Sequence, residues 1–150
     1  MWLILLAAVT AAGVLFGCDA RGSPGAGNDG GAAPEADVYV DVGERSISVG
    51  PSTVPAGDVL FAVRNTSAIR DHELVLLKTD LAPEDLRISL GVSQVDESES
   101  GRRAGYIPPG RLPPGGSTTE TFTLAPGSYV LLCNTIGHYE EGMHTEFTVR

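Results

Sequence analysis

Aromatic residues are scarce in this 150-residue chain, at 6%, and charged residues make up only 19%. Histidine occurs three times, cysteine twice and methionine twice. No basic cluster exceeds the pair Arg102-Arg103, and 19 Asp+Glu against 10 Lys+Arg leave a formal charge of -9. Such a chain cannot neutralise a run of phosphates, the interaction that supplies most non-specific nucleic-acid affinity, so nucleic acid is excluded as a partner. The composition also lacks the biased usage of a coiled coil or helical repeat. What remains, 42% apolar residues over this length, suffices to bury one core in one domain.

The first third divides by composition. Residues Trp2 to Phe16 form one apolar run that ends at Gly17-Cys18 and is followed by Asp19. The run is shorter than the roughly 20 residues of a bilayer span and has the length of a signal-peptide apolar region. Leu15-Phe16-Gly17-Cys18 resembles the lipobox of bacterial lipoproteins, with departures in the bulk of Phe16 and in the absence of Lys or Arg ahead of the run. That resemblance implies lipidation of Cys18 as the mature N-terminus, and a leader over residues 1–18. An uncleaved anchor and a plain signal peptide are the alternatives, and all three place the rest of the chain outside the cytoplasm. Asp19 to Ala36 holds Gly, Ala, Ser, Pro, Asn and Asp with no aromatic or branched aliphatic residue, so nothing there offsets the entropy of ordering. The expectation is a flexible tether over residues 19–37 with a reach of about 23 Å, holding the folded part near a membrane.

From residue 38 to 150 the pattern predicts an all-β domain. Segments of alternating or β-branched residues at Val38–Val42, Ser46–Val49, Val59–Asn65, Glu73–Lys78, Thr118–Leu124, Tyr129–Cys133 and Thr145–Val149 are separated by Gly/Pro turns. Seven or eight strands suggest a two-sheet Greek-key β-sandwich. One stretch breaks the pattern: Asp80 is placed to cap a short helix running to about Leu90, and Asp96–Gly101 reads as a polar loop.

Outside the leader, the residues with metal or redox chemistry are His72, Cys133, His138, Met143 and His144. The spacing Cys133-x4-His138-x4-Met143, with Gly137 before the histidine and Gly142 before the methionine, suits a loop that returns on itself and aims three donors at one point. Two His nitrogens and a Cys sulfur in a plane, with a weak axial Met, form the blue-copper arrangement. The second imidazole comes from elsewhere in the sandwich, and His72, just ahead of the apolar run Leu74–Leu77, fits. Parity along the last strand turns His144 outward. A disulfide between Cys18 and Cys133 is excluded by lipidation of Cys18.

At these residues the chain resembles the cupredoxins, and among them the small bacterial rusticyanin- and sulfocyanin-like proteins. The resemblance covers Val54 to Val149 and rests on Val54-Pro55-Ala56-Gly57, Phe61–Thr66, Asp71-His72-Glu73-Leu74, Leu124–Tyr129 and the Cys-x4-His-x4-Met element, with Asn65 seven residues before His72. It implies one Cu(I)/Cu(II) ion held by His72, Cys133, His138 and Met143. Glu73 stands where many members keep Asn or Ser, and Asn134 stands where the family keeps a hydrogen-bonding residue beside the sulfur. The implied function is a monomeric, membrane-tethered, extracytoplasmic one-electron carrier, with a cytochrome or terminal oxidase as partner. The electron exit is implied at His138, rimmed by Ile136, Pro108, Pro109 and Leu112. Copper delivery or storage without redox turnover is the alternative. Catalysis is not expected, because only His144 is left for a further metal cluster and no Gly-x-Ser-x-Gly motif is present.

Overall fold

The computed structural model describes residues 35–150. The leader, with Cys18, and the tether up to residue 34 lie outside the described residues. Ordered packing begins at Ala36, which is buried, and at Asp37, whose N–H donates to the Leu60 carbonyl while its carboxylate accepts from the Leu60 N–H.

Eleven strands follow: β1 (Val38–Val42), β2 (Ile47–Gly50), β3 (Thr53–Val54), β4 (Gly57–Asn65), β5 (Leu74–Lys78), β6 (Ile88–Ser89), β7 (Gln94–Val95), β8 (Arg102–Ile107), β9 (Ser117–Leu124), β10 (Gly127–Leu132) and β11 (His144–Val149). One sheet has the order β2-β1-β4-β9 and the other β3-β11-β10-β5-β8, with β6-β7 as a separate hairpin. The all-β two-sheet Greek-key sandwich expected from the alternation is what forms. In β4, Val59, Phe61 and Val63 point into the core, and Phe61 packs edge-on against Phe122 at 5.5 Å and beside Phe147 at 5.6 Å. Glu120, on the edge strand β9, pairs with Arg111 at the rim of that sheet.

The second sheet is covered on both faces. Leu74, Leu76, Tyr129 and Leu131 enter the inter-sheet core, whereas Val75, Leu77, Val130 and Leu132 pack outward against Leu86, Val95 and Tyr139. This explains why Leu74–Leu77 and Tyr129–Leu132 read as continuous apolar runs: a strand buried on both sides has no polar face to alternate. The cover is the segment from Asp80 to Ser100, and here the structure corrects the expectation. No helix runs from Asp80 to Leu90. Pro83 opens a single 3-10 turn (Pro83–Asp85), Leu86 dips into the outer cluster, and Leu90 is fully exposed at the tip of the β6-β7 hairpin. The helix sits instead in the expected polar loop. Asp96 caps α1 (Glu97–Ser100) by accepting from the N–H groups of Ser98 and Glu99, the ordinary role of Asp at a helix start. The strand β8 was also unread, because Arg102-Arg103-Ala104-Gly105 carries the charges and glycine of a sheet edge rather than an apolar alternation.

Among the described residues, no helix is long and apolar enough to cross a membrane.

Candidate metal centre

Sheet pairing brings the chain's scarce side chains to one end of the sandwich. Strand β10 lies between β5 and β11, with Leu132 opposite Val75 on one side and His144 on the other. Cys133, the next residue, is therefore flanked by the segment that enters β5, carrying His72, and by the segment that enters β11, carrying Met143. The Cys133 N–H donates to the Met143 carbonyl at 3.0 Å, closing the loop between them. Within that loop the His138 N–H donates to Thr135 O and the Met143 N–H to His138 O, so His138 is fastened to both strand ends. The return requires left-handed backbone at Gly137 (φ +80°) and Gly142 (φ +99°), which glycine adopts without a Cβ penalty.

His72 is placed by a second set of bonds. Its N–H donates to the Leu112 carbonyl at 3.3 Å, and the Asn65 amide donates to the carbonyls of Leu112 and Arg70, both at 2.8 Å. Asn65 Oδ1 accepts from the Ser67 N–H, so the Asn65-x6-His72 spacing is that of a buried amide bracing the loop it begins. Leu112 is itself fully buried; its carbonyl serves the site, and it does not belong to the exposed rim the resemblance implied.

Three donor atoms converge. The Nδ1 atoms of His72 and His138 are 3.2 Å apart, and Cys133 Sγ is 3.7 Å and 3.4 Å from them respectively. A point equidistant from three atoms so spaced lies about 2.0 Å from each, from the product of the sides divided by four times the triangle's area. That is close to the bond lengths of a first-row metal to imidazole nitrogen and thiolate sulfur, about 2.0 and about 2.3 Å for zinc. His72, Cys133 and His138 form the group able to hold a metal among the described residues, and His144 is outside it. His144 instead stacks on Tyr139 at 4.8 Å, next to the outer apolar cluster.

The donor set fits copper. His72, Cys133 and Met143 are inaccessible to solvent, and His138 is 9% exposed. A thiol with two imidazoles and a buried methionine beside them offers soft donors suited to Cu(I) and imidazoles suited to Cu(II). The other ring nitrogen of His72, Nε2, is buried and meets no hydrogen-bond partner among the described residues, so all polar neighbours of this ring lie on the side of the donor triangle. Burial pushes both imidazoles below their ordinary pKa, helped at His72 by His138 and at His138 by Arg70. Burial pushes the Cys133 thiol up, against hydrogen bonds from the Thr135 hydroxyl and from the N–H groups of Glu73 and Thr135. The imidazoles thus stay neutral and able to ligate, and the Thr135 hydroxyl lies 3.5 Å from the sulfur that a metal would bind as thiolate.

The polar ends of Glu73 and Asn134 are both engaged by neighbours outside the donor triangle. The Glu73 carboxylate accepts from the Tyr106 hydroxyl at 2.8 Å. Asn134 bonds like a strand residue: Oδ1 accepts from the Val95 N–H at 2.7 Å and Nδ2 donates to the Val95 carbonyl at 3.1 Å. With Gln94 donating to the Asn134 carbonyl and Gly137 N–H donating to Ser93 O, the β6-β7 hairpin is clamped to the cysteine loop. Thr135 was not singled out from the sequence, although a hydroxyl two residues after the cysteine is a readable signal. Arg70, Glu44 and Glu141, which meet beside the site, carry no such signal.

No family model matches the chain, and no curated protein matches it. Solved structures do. The chain is similar to dithionite-reduced auracyanin from the photosynthetic bacterium Roseiflexus castenholzii, at 28% identity and TM-score 0.53, over 75% of this chain and 94% of that one. It shares the fold of the copper protein rusticyanin, at 19% identity and TM-score 0.50, over 75% of this chain and 76% of that one. A sandwich that closes one end with a buried thiol between two imidazoles, and that follows auracyanin over nearly all of auracyanin's length, gives this chain the cupredoxin fold.

Proposed function

We propose that the protein is a blue copper one-electron carrier, tethered outside the cytoplasm through Cys18. The observation that carries the first part is the donor triangle of His72 Nδ1, Cys133 Sγ and His138 Nδ1, with edges of 3.2 to 3.7 Å. His72, Cys133, His138 and Met143 are the residues that hold the ion, which when bound supplies a Cu(I)/Cu(II) couple. The protein's own part is positioning and exclusion of water. Two strand ends and two braced loops fix the donors, so that one ligand arrangement serves both oxidation states.

Of the four, His138 alone reaches solvent, and beside it Ile136 is 67% exposed. This apolar edge is the proposed contact for a redox protein such as a cytochrome or terminal oxidase. Pro108 and Pro109, half-buried beyond β8, complete the rim proposed by resemblance. The sequence of the leader supports the tether.

The test is the visible spectrum of the full chain after one equivalent of Cu(II), beside Cys133→Ser. An intense sulfur-to-copper band, absent from the variant and bleached by reductant, is expected. Copper bound without that band overturns the carrier reading in favour of copper handling.

A further inference from the structure

We infer that Arg70 is a positioning residue: it latches the loop carrying His72 to the loop carrying His138 and Met143, and so holds the donor triangle at metal-binding size before any metal arrives. The inference rests on the copper reading above and names how the site is kept ready.

The two loops come from distant parts of the chain, and among the described residues no backbone hydrogen bond joins residues 66–73 to 137–142. Apart from the ligands themselves, the polar link between them is Arg70 Nη1 donating to Glu141 Oε2 at 2.6 Å. Glu141 stands between His138 and Met143 in the loop whose turns need Gly137 and Gly142. The guanidinium is aimed by its other neighbours. Glu44, in the β1-β2 turn, accepts from the Ser67 hydroxyl at 2.7 Å and the Ala68 N–H at 3.1 Å, with its second oxygen 3.8 Å from Arg70 Nε. Ser67 Oγ in turn accepts from the Arg70 N–H at 2.9 Å, and the Arg70 carbonyl accepts from Asn65. On the far side, Arg45 Nε stands 3.9 Å from the same Glu141 oxygen, and a Cβ at Gly142 would meet the Arg45 carbonyl at 3.6 Å.

The result is a chain of alternating charge, Glu44, Arg70, Glu141 and Arg45, that ties the β1-β2 turn and both ligand loops into one rim. A planar guanidinium can address two carboxylates on separate loops at once, which a lysine ammonium on a flexible stem does poorly. Pairs as exposed as this one, with about a third of each side chain accessible, add little to global stability. Their effect belongs in local opening, because a loop can open at a lower free-energy cost than the whole sandwich unfolds.

The experiment compares the full chain with Arg70→Met, Glu141→Gln and the double variant. Amide hydrogen exchange of the copper-free proteins is read first at Glu141 and Gly142, whose N–H groups bond only within their own loop. Either single variant is expected to speed exchange there by about tenfold, with the double variant no faster than either, since each removes the same link. With Cu(II) added, both variants are expected to shift the reduction potential and the sulfur-to-copper band while the urea midpoint barely moves. Arg70→Lys is expected not to restore the original exchange. Unchanged exchange in both single variants, or additive acceleration in the double, overturns the inference. Should Arg70→Met fail to fold, Glu141→Gln decides alone. Failure of the unaltered chain to develop the band defeats the copper reading, whereas the copper-free exchange tests the latch separately.

Discussion

Cys133 and Met143, ten residues apart, face each other across the neck of one loop, the N–H of the first donating to the carbonyl of the second at 3.0 Å. Both are fully buried and both pack in the inter-sheet core. The loop between them is therefore anchored at its root, and the ligands at its two ends belong to the packed interior.

Replacing Met143 separates its two roles. Met143→Ala is expected to cost about 2 to 5 kcal/mol of copper-free stability through the cavity it leaves. Met143→Leu, of similar volume, is expected to cost less than about 1.5 kcal/mol yet alter the copper spectrum and potential, because it packs but offers no sulfur. Urea unfolding of the copper-free forms and voltammetry of the loaded ones measure the two effects.

At Gly137 a Cβ would touch nothing within 4 Å, so substitution there reports backbone conformation alone. With φ at +80°, Gly137→Ala is expected to cost about 1 to 2 kcal/mol, Gly137→Asn less and Gly137→Val more. Equal losses for all three, measured by thermal unfolding, would show that the left-handed turn is not what glycine supplies.

Asn134→Ala leaves the N–H and carbonyl of Val95 without their side-chain partners in a buried setting. The expected loss is about 1 to 3 kcal/mol, with faster amide exchange at Val95 and Gly137, where the hairpin holds the cysteine loop. Stability and exchange at the level of the unaltered protein would contradict the clamp.

Copper-free stability is expected to peak near neutral pH. His72 and His138 have folded pKa values lowered by burial, so the unfolded chain takes up protons first as pH falls below about 6.5, and stability drops through the lowered folded values. Cys133 is raised by burial, so its contribution is present below the unfolded value of about 8.5 and is lost as pH climbs through the folded one. Urea midpoints across pH measure both limbs, and Cys133→Ser is expected to remove the thiol's part of the alkaline one. Copper affinity is expected to rise with pH, since the thiol gives up its proton on binding.

Much of the site was legible because it is local. Cys133, His138 and Met143 fall within one loop, and their spacing with Gly137 and Gly142 states which backbone can return and which atoms it can gather. The strands were legible where one face is dry and the other wet, as in β4. Legibility failed where charges cover an edge, as in β8, and in the segment that covers the outer face of the second sheet. Leu86 and Leu90 share a helical spacing, yet one is buried under the hairpin and the other fully exposed, and the only helical turn the chain makes between Asp80 and Leu90 is the 3-10 turn Pro83–Asp85.

By itself the sequence determined the chemistry on offer: a few soft and imidazole donors, an acidic and weakly charged chain, turns that only glycine and proline take readily, and β-forming segments between them. Tertiary structure alone decided which donors meet. His72 reaches Cys133 because β5 pairs with β10, a pairing 61 residues apart along the chain at the site. Arg70 reaches Glu141 across 71 residues for the same reason. Local spacing carries information over a turn or a loop, whereas contacts between distant segments exist only once the sheets have buried their common core and fixed which strand ends share a face.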